Sequence, residues 1–210
     1  MSITRRTLLK TTASAVAMST LPIRQTAWAK SSVQVGKIKI DVLSDGHLQL
    51  PVKSVFSLLK EEDYLPVLKS HNLDSAALKP DCNLTLVRDG KNTILFDVGS
   101  GPNFMPTAGK LGEALEALEV DPADVTHVVF THAHPDHLWG VLDDFDDPFF
   151  SDAKHMIGQL EWDYWTDKNT ISTIGEASQA FAAGALRNLK AIEDKISFFK
   201  FGEEILPGIM

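Results

Sequence analysis

Apolar and polar residues alternate from residue 33 to residue 42 (Val33-Gln34-Val35-Gly36-Lys37-Ile38-Lys39-Ile40-Asp41-Val42), the period of a half-buried strand. Ser44-Asp45-Gly46 then reads as a turn and His47-Leu48-Gln49-Leu50 as the return strand. Residues 52–78 keep no sustained period and contain Pro66, so loop and short helices are expected there. A second hairpin is clearer: residues 83–88 and 92–98 flank Asp89-Gly90, a type I′ turn signal. Residues 110–118 place Leu111, Leu115 and Leu118 on one face at helical spacing, predicting a helix that covers the sheet. The run Val125-Thr126-His127-Val128-Val129-Phe130 is β-branched and aromatic, with Pro122 and Asp124 before it, and reads as a buried strand. Beyond it the pattern predicts a strand at 154–158, a short helix at 159–166, a longer helix at 176–195 and a strand at 196–201. The longer helix brings Ala180, Phe181, Leu186, Leu189 and Ile192 close to one face. The order of strands and helices is that of an α/β domain with helices on the outer face.

What changes this plain picture is the stretch after the buried strand, Thr131-His132-Ala133-His134-Pro135-Asp136-His137. Three imidazoles and a carboxylate crowd the end of a strand, and these are zinc-type donors. On extended backbone, side chains two apart point the same way, so His132 and His134 can share one metal ion. Pro135 interrupts the strand, and Asp136 with His137 then turns toward a second position. Asp97 ends an earlier strand before Gly99-Ser100-Gly101-Pro102. Its carboxylate either orients the histidine loop from behind, by accepting an imidazole N–H, or caps the turn that follows. His47 alternates with leucines and is expected to face solvent.

Composition excludes some partners. The chain has 210 residues, 44% of them hydrophobic, enough for one sizeable core. Residues 1–29 hold Arg5, Arg6, Lys10 and Arg24 and no acid, so of 20 basic residues 16 follow them, against 28 acidic, a formal charge of −12. That balance argues against nucleic acid or an anionic membrane as partner. The single cysteine, Cys82, forms no internal disulfide and reads as a small core residue. Asp143-Asp144-Phe145-Asp146-Asp147-Pro148-Phe149-Phe150 lacks the glycine and terminal glutamate of a calcium loop and reads as a solvated loop with its phenylalanines tucked under.

Residues 1–29 resemble a twin-arginine export signal, with Arg5-Arg6, a short weakly apolar stretch, and Ala27-Trp28-Ala29 as a cleavage site. The expectation is a signal at 1–29, a domain at 30–210, a periplasmic or secreted product, and no membrane association once the signal is cleaved.

His-x-His-x-Asp-His after a hydrophobic strand resembles the signature of the metallo-β-lactamase superfamily. Leu95-Phe96-Asp97-Val98-Gly99, Leu43-Ser44-Asp45-Gly46 and Leu206-Pro207-Gly208-Ile209 are similar to other stretches of that family, with methyl parathion hydrolase-like enzymes the nearest in wording. The resemblance implies an αββα sandwich of mixed sheets with outer helices, of which this chain supplies the N-terminal half to two-thirds. It implies two zinc ions (iron or manganese as alternatives), His132 and His134 on one, Asp136 and His137 on the other, with Asp136 the catalytic carboxylate. Phe104, Trp165 and Phe181 fall where such enzymes place aromatics around the substrate. The implied activity is hydrolysis of a small-molecule ester: a lactone, organophosphate triester or β-lactam. An iron-dependent thiol dioxygenase and an inactive metal-binding fragment are the alternatives. Two protein ligands per ion is one short of the usual three, so the missing donors are expected in a continuation of the chain, or across a homodimer. The apolar strands are likewise expected to need a second sheet over them.

Overall fold

Two strands stand where the alternating pattern predicts one. The structure, a computed structural model, describes residues 29–210, and the expected export signal falls outside the described residues except for Ala29. β1 (Ala29–Val35) pairs antiparallel with β2 (Ile38–His47), Val35 opposite Ile38, across a two-residue turn in which Gly36 has φ +61°. The apolar residues change phase at this turn, from odd positions (Val33, Val35) to even ones (Ile38, Ile40, Val42), so one continuous strand is not what the pattern encodes.

The predicted turn at Ser44-Asp45-Gly46 is instead the far end of β2, marked by a bulge between Ser44 and His47. Asp45 is fully buried, and its carboxylate accepts the backbone N–H groups of Ser100 (2.8 Å), Gly109 (3.1 Å) and Leu111 (2.9 Å). Gly46 has φ +100°, and a Cβ there would lie 2.2 Å from the Thr107 carbonyl oxygen. Turn-like residues are used here to dock the 99–111 loop onto a strand.

The excursion that follows contains β3 (Leu50–Pro51), α1 (Val52–Val55), α2 (Glu61–Ser70, with Pro66 inside it) and β4 (Ala77–Leu78), which pairs with β3. Val52, Tyr64 and Leu68 form its own small core. β5 (Asp81–Arg88) and β6 (Thr93–Phe96) form the expected hairpin, but the turn is not type I′. Only Gly90 has positive φ, and the Asp89 carboxylate accepts the N–H groups of Lys91 and Asn92, so the aspartate organises a four-residue loop.

From β6 onward the sheet is parallel, through β7 (His127–Phe130), β8 (Lys154–Gly158) and β9 (Ile196–Phe199), giving seven strands in the order β1-β2-β5-β6-β7-β8-β9. The connections carry α3 (Leu111–Ala117), α4 (Pro135–Leu138), α5 (Gln159–Thr166), α6 (Thr170–Thr173) and α7 (Gln179–Ala191). The main core joins Leu43, Leu84, Leu86, Leu95, Val128, Phe130 and Ile157 of the sheet to Leu111, Leu115, Ala182, Ala185 and Leu189 of the helices. On the other face, register aligns Ile40, Val42, Val87, Phe96 and Met156, all only partly buried.

Two further expectations change. The 176–195 helix is shorter, with 3-10 turns at Glu176–Ser178 and Glu193–Lys195, and its packing face is Ala182, Ala185 and Leu189, leaving Ala180 exposed. To one side of that face Trp139 leaves no room for a side chain: a Cβ on Gly184 would lie 2.1 Å from its ring. In the acidic loop Phe150 is buried, but Phe145 is 85% exposed, because the Asp143 carboxylate accepts the N–H groups of Phe145 and Asp147 and turns that tip outward.

Candidate metal centre

β7 delivers the chain to the C-terminal edge of the parallel strands, and Phe130, fully buried, anchors it there. His134, the residue before a proline, is held extended (φ −68°, ψ 158°). Pro135 then occupies the first position of α4, where its missing N–H costs nothing. The switch from extended chain to one helical turn gathers the histidines. His132 and His134 have ring centroids 4.6 Å apart, and His132 and His137 3.9 Å apart. Asp136 Oδ2 lies 3.3 Å from His137 Nε2. All four residues form one cluster, with His134 beside His132 and Asp136 beside His137.

Behind the cluster sits Asp97, just past β6, with φ +62°, a backbone conformation uncommon for any residue but glycine. Its Oδ1 accepts the Thr131 N–H (2.7 Å), and its Oδ2 accepts the Thr131 hydroxyl (2.8 Å). His137 Nδ1 is 2.8 Å from the same Oδ2 and must donate to it. The Thr131 hydroxyl proton is thereby committed, so His132 Nδ1, at 3.0 Å from that oxygen, is the donor in their contact. One carboxylate thus assigns Nδ1–H to both His132 and His137 and leaves Nε2 for a ligand on each. The turn after Asp97 is held by Asp45 through the Ser100 N–H.

Electrostatics follow from this wiring. Burial works to lower the pKa of His137, but hydrogen bonds to Asp136 and Asp97, and their charges, win and raise it to about 9. A metal ion taking Nε2 therefore displaces a proton. Burial, then the charges of His137 and His134, lower the pKa of His132. Burial opposes ionisation of Asp136, yet the hydrogen bond and charge of His137 hold its carboxyl below the usual range. The Cys82 thiol is pushed up to about 12 by burial and by Asp136, Asp45 and Asp81, which leaves it inert as a nucleophile.

Two residues with no predicted role support the loop. Thr131 relays Asp97 to His132, and Glu161, in the first turn of α5, accepts the Ala133 N–H (3.2 Å) and the Trp165 indole N–H (2.7 Å) on one oxygen. The sequence signal for Glu161 was its i, i+4 spacing to Trp165, with nothing to connect it to Ala133. The three expected aromatics separate: Phe104 meets Phe181 (6.0 Å) and Trp139 (5.4 Å), whereas Trp165, nearly buried, sets its ring against His134 (5.8 Å). A cavity of about 440 Å³, lined by Thr131, Glu161, Leu160, Phe199 and Phe201, opens beside the loop.

The donors suit zinc in kind: three imidazoles, those of His132 and His137 with tautomers fixed through Nδ1, and an ionised carboxylate. Among the described residues no three such side chains are arranged to close on a single ion.

Residues 79–166 match the family model described as the metallo-beta-lactamase superfamily. An uncharacterized protein of Caenorhabditis elegans, C03F11.2, is 30% identical over 91 residues, 43% of this chain and 22% of that protein. Among solved structures, AidC, a dizinc quorum-quenching lactonase in complex with a product, superposes with a TM-score of 0.77 at 23% identity, covering 86% of this chain and 64% of that one. The hydrolase AbOPH, of the beta lactamase superfamily, gives 0.74 at 23% identity, covering 85% and 63%. The chain spans less than two thirds of either structure.

Proposed function

We infer a metal-dependent hydrolase of small apolar esters, a reading supported by the match of residues 79–166 to the metallo-beta-lactamase superfamily model. The observation that carries the reading is the wiring of Asp97, which presents Nε2 of His132 and of His137 to one cluster with His134 and Asp136. We assign His132 and His134 to one divalent ion and Asp136 and His137 to another, zinc in both cases. Bound there, zinc supplies Lewis acidity toward the scissile bond and a nucleophilic water at neutral pH. Asp136, held ionised beside His137, orients the attacking water and carries its proton toward the leaving oxygen. Catalytic zinc takes three protein ligands, so the reading requires further donors from outside the described residues, in more chain or a second copy.

The substrate class is a lactone, organophosphate triester or β-lactam. The apolar cavity beside the loop supports an ester with an apolar chain, and the fold is shared with AidC, a lactonase, and AbOPH, a hydrolase. We place the protein in the periplasm, exported through Arg5-Arg6. The test is zinc-dependent turnover of a lactone, an aryl phosphotriester and a chromogenic β-lactam by the complete protein. Turnover abolished by a chelator and restored by zinc is the expected result; absence of zinc binding would end the reading.

A further inference from the structure

We propose that Glu161 is a positioning residue for the ligand loop, holding His134 in place through Ala133 and Trp165. The inference rests on the zinc-binding reading of the histidine cluster.

Ala133 lies between two ligand positions and is fully buried, so its N–H needs a partner inside the protein. The partner is a carboxylate oxygen 28 residues later in the chain. The same oxygen takes the indole N–H of Trp165, and the Trp165 ring stands edge-on to His134 at 78°. Glu161 thereby fixes His134 twice, through the backbone just before it and through the ring that limits its rotation. Bonds to an ionised acceptor are about twice as strong as neutral ones, which favours a carboxylate in this role.

An acid in the first turn of a helix often only complements that helix's own N–H groups. Here its acceptor oxygen reaches across to the end of β7 instead, and α5 begins without a side-chain cap. The division of labour is then complete. Asp97 orients His132, by way of Thr131, and His137, while Glu161 orients His134, by way of Trp165.

The experiment is zinc affinity of the full chain, read by competition with a chromophoric chelator, in wild type, E161A, E161Q, Trp165→Phe, His134→Ala and the double variant E161A/His134→Ala. Loss of a group that orients a metal ligand costs about 10- to 100-fold in affinity, and E161A is expected at the lower end. E161Q, whose amide oxygen can still accept both N–H groups, should stay within about threefold of wild type. In the His134→Ala background E161A should have no further effect, because the two act as a unit. A general loss of structure would lower affinity in that background as well. Equal affinity of wild type, E161A and Trp165→Phe would overturn the proposal, and so would a full E161A effect persisting without His134. Should E161A fail to fold, Trp165→Phe, which puts a smaller aromatic ring with no N–H in place of the indole, decides: a several-fold loss supports the proposal, and no loss overturns it. Failure of the wild type itself to bind zinc would instead refute the metal centre.

Discussion

His137 Nδ1 donates to Asp97 Oδ2 over 2.8 Å, joining the ends of two neighbouring parallel strands behind the histidine cluster. The same oxygen takes the Thr131 hydroxyl, so this carboxylate sets the tautomer of two histidines at once. Asp97→Asn cannot accept all three donors with one oxygen and an NH₂ group. Zinc affinity is expected to fall about tenfold or more, with the fold retained. Chelator competition beside a thermal melt measures both; unchanged affinity would remove Asp97 from the site.

His132→Ala and His134→Ala should each strip metal from a preparation of the complete protein, measured as bound zinc per chain after gel filtration. His47→Ala and His71→Ala, outside the cluster, should leave the stoichiometry as it is. Indifference to all four variants would refute the ligand assignment.

His155 supplies an acid-sensitive element away from the site. It is fully buried, stacked 6.0 Å from Phe130, and burial together with Lys195 pushes its pKa down to about 4. Above pH 6.5 the ring is neutral in folded and unfolded chains alike. Between pH 6.5 and 4 the unfolded chain binds a proton that the folded one refuses, so stability falls as pH falls, by up to about 3 kcal/mol. Urea midpoints across that range should drop for wild type more steeply than for His155→Phe. Parallel curves would show that the ring is protonated in the folded state.

Asp45→Ala removes the acceptor of three buried or half-buried N–H groups that tie the 99–111 loop to β2. A loss of about 3 kcal/mol or more is expected, since each buried N–H left without an acceptor costs about 1–3 kcal/mol. Urea unfolding gives the value, and a change below 1 kcal/mol would mean that the loop is held otherwise.

Replacing Arg5 and Arg6 together by lysine should keep a fused reporter in the cytoplasm, if the pair directs export. Cell fractionation reads the outcome, and undiminished periplasmic reporter would exclude this route.

The grouping of the four residues was legible in the sequence because they are neighbours in the chain. Three imidazoles and a carboxylate follow one buried strand, and a proline stands where extended chain must become helix. The strands at 127–130 and 154–158 and the helix at 159–166 were legible for the same local reason, a hydrophobic period confined to a few residues. The strand read at 33–42 proved to be a hairpin at Gly36, and its local signal is the shift of the apolar residues from odd to even positions there.

Only the tertiary structure decided what Asp45, Asp97 and Glu161 hold. Asp45 has the chemistry of a turn, yet the N–H groups that claim it lie 55 to 66 residues away. Asp97 could cap or orient, and the packing of β6 against β7 settled it by bringing Thr131 and His137 within 2.8 Å. Glu161 meets Ala133 because β8 returns α5 to the edge where β7 ends. Likewise Gly184 of α7 meets Trp139, whose ring leaves no room for a Cβ, a contact that no periodicity within the helix encodes. A hydrophobic period records which side of an element avoids water, whereas a buried carboxylate is defined by the donors that desolvation forces it to find, and the fold alone brings those together.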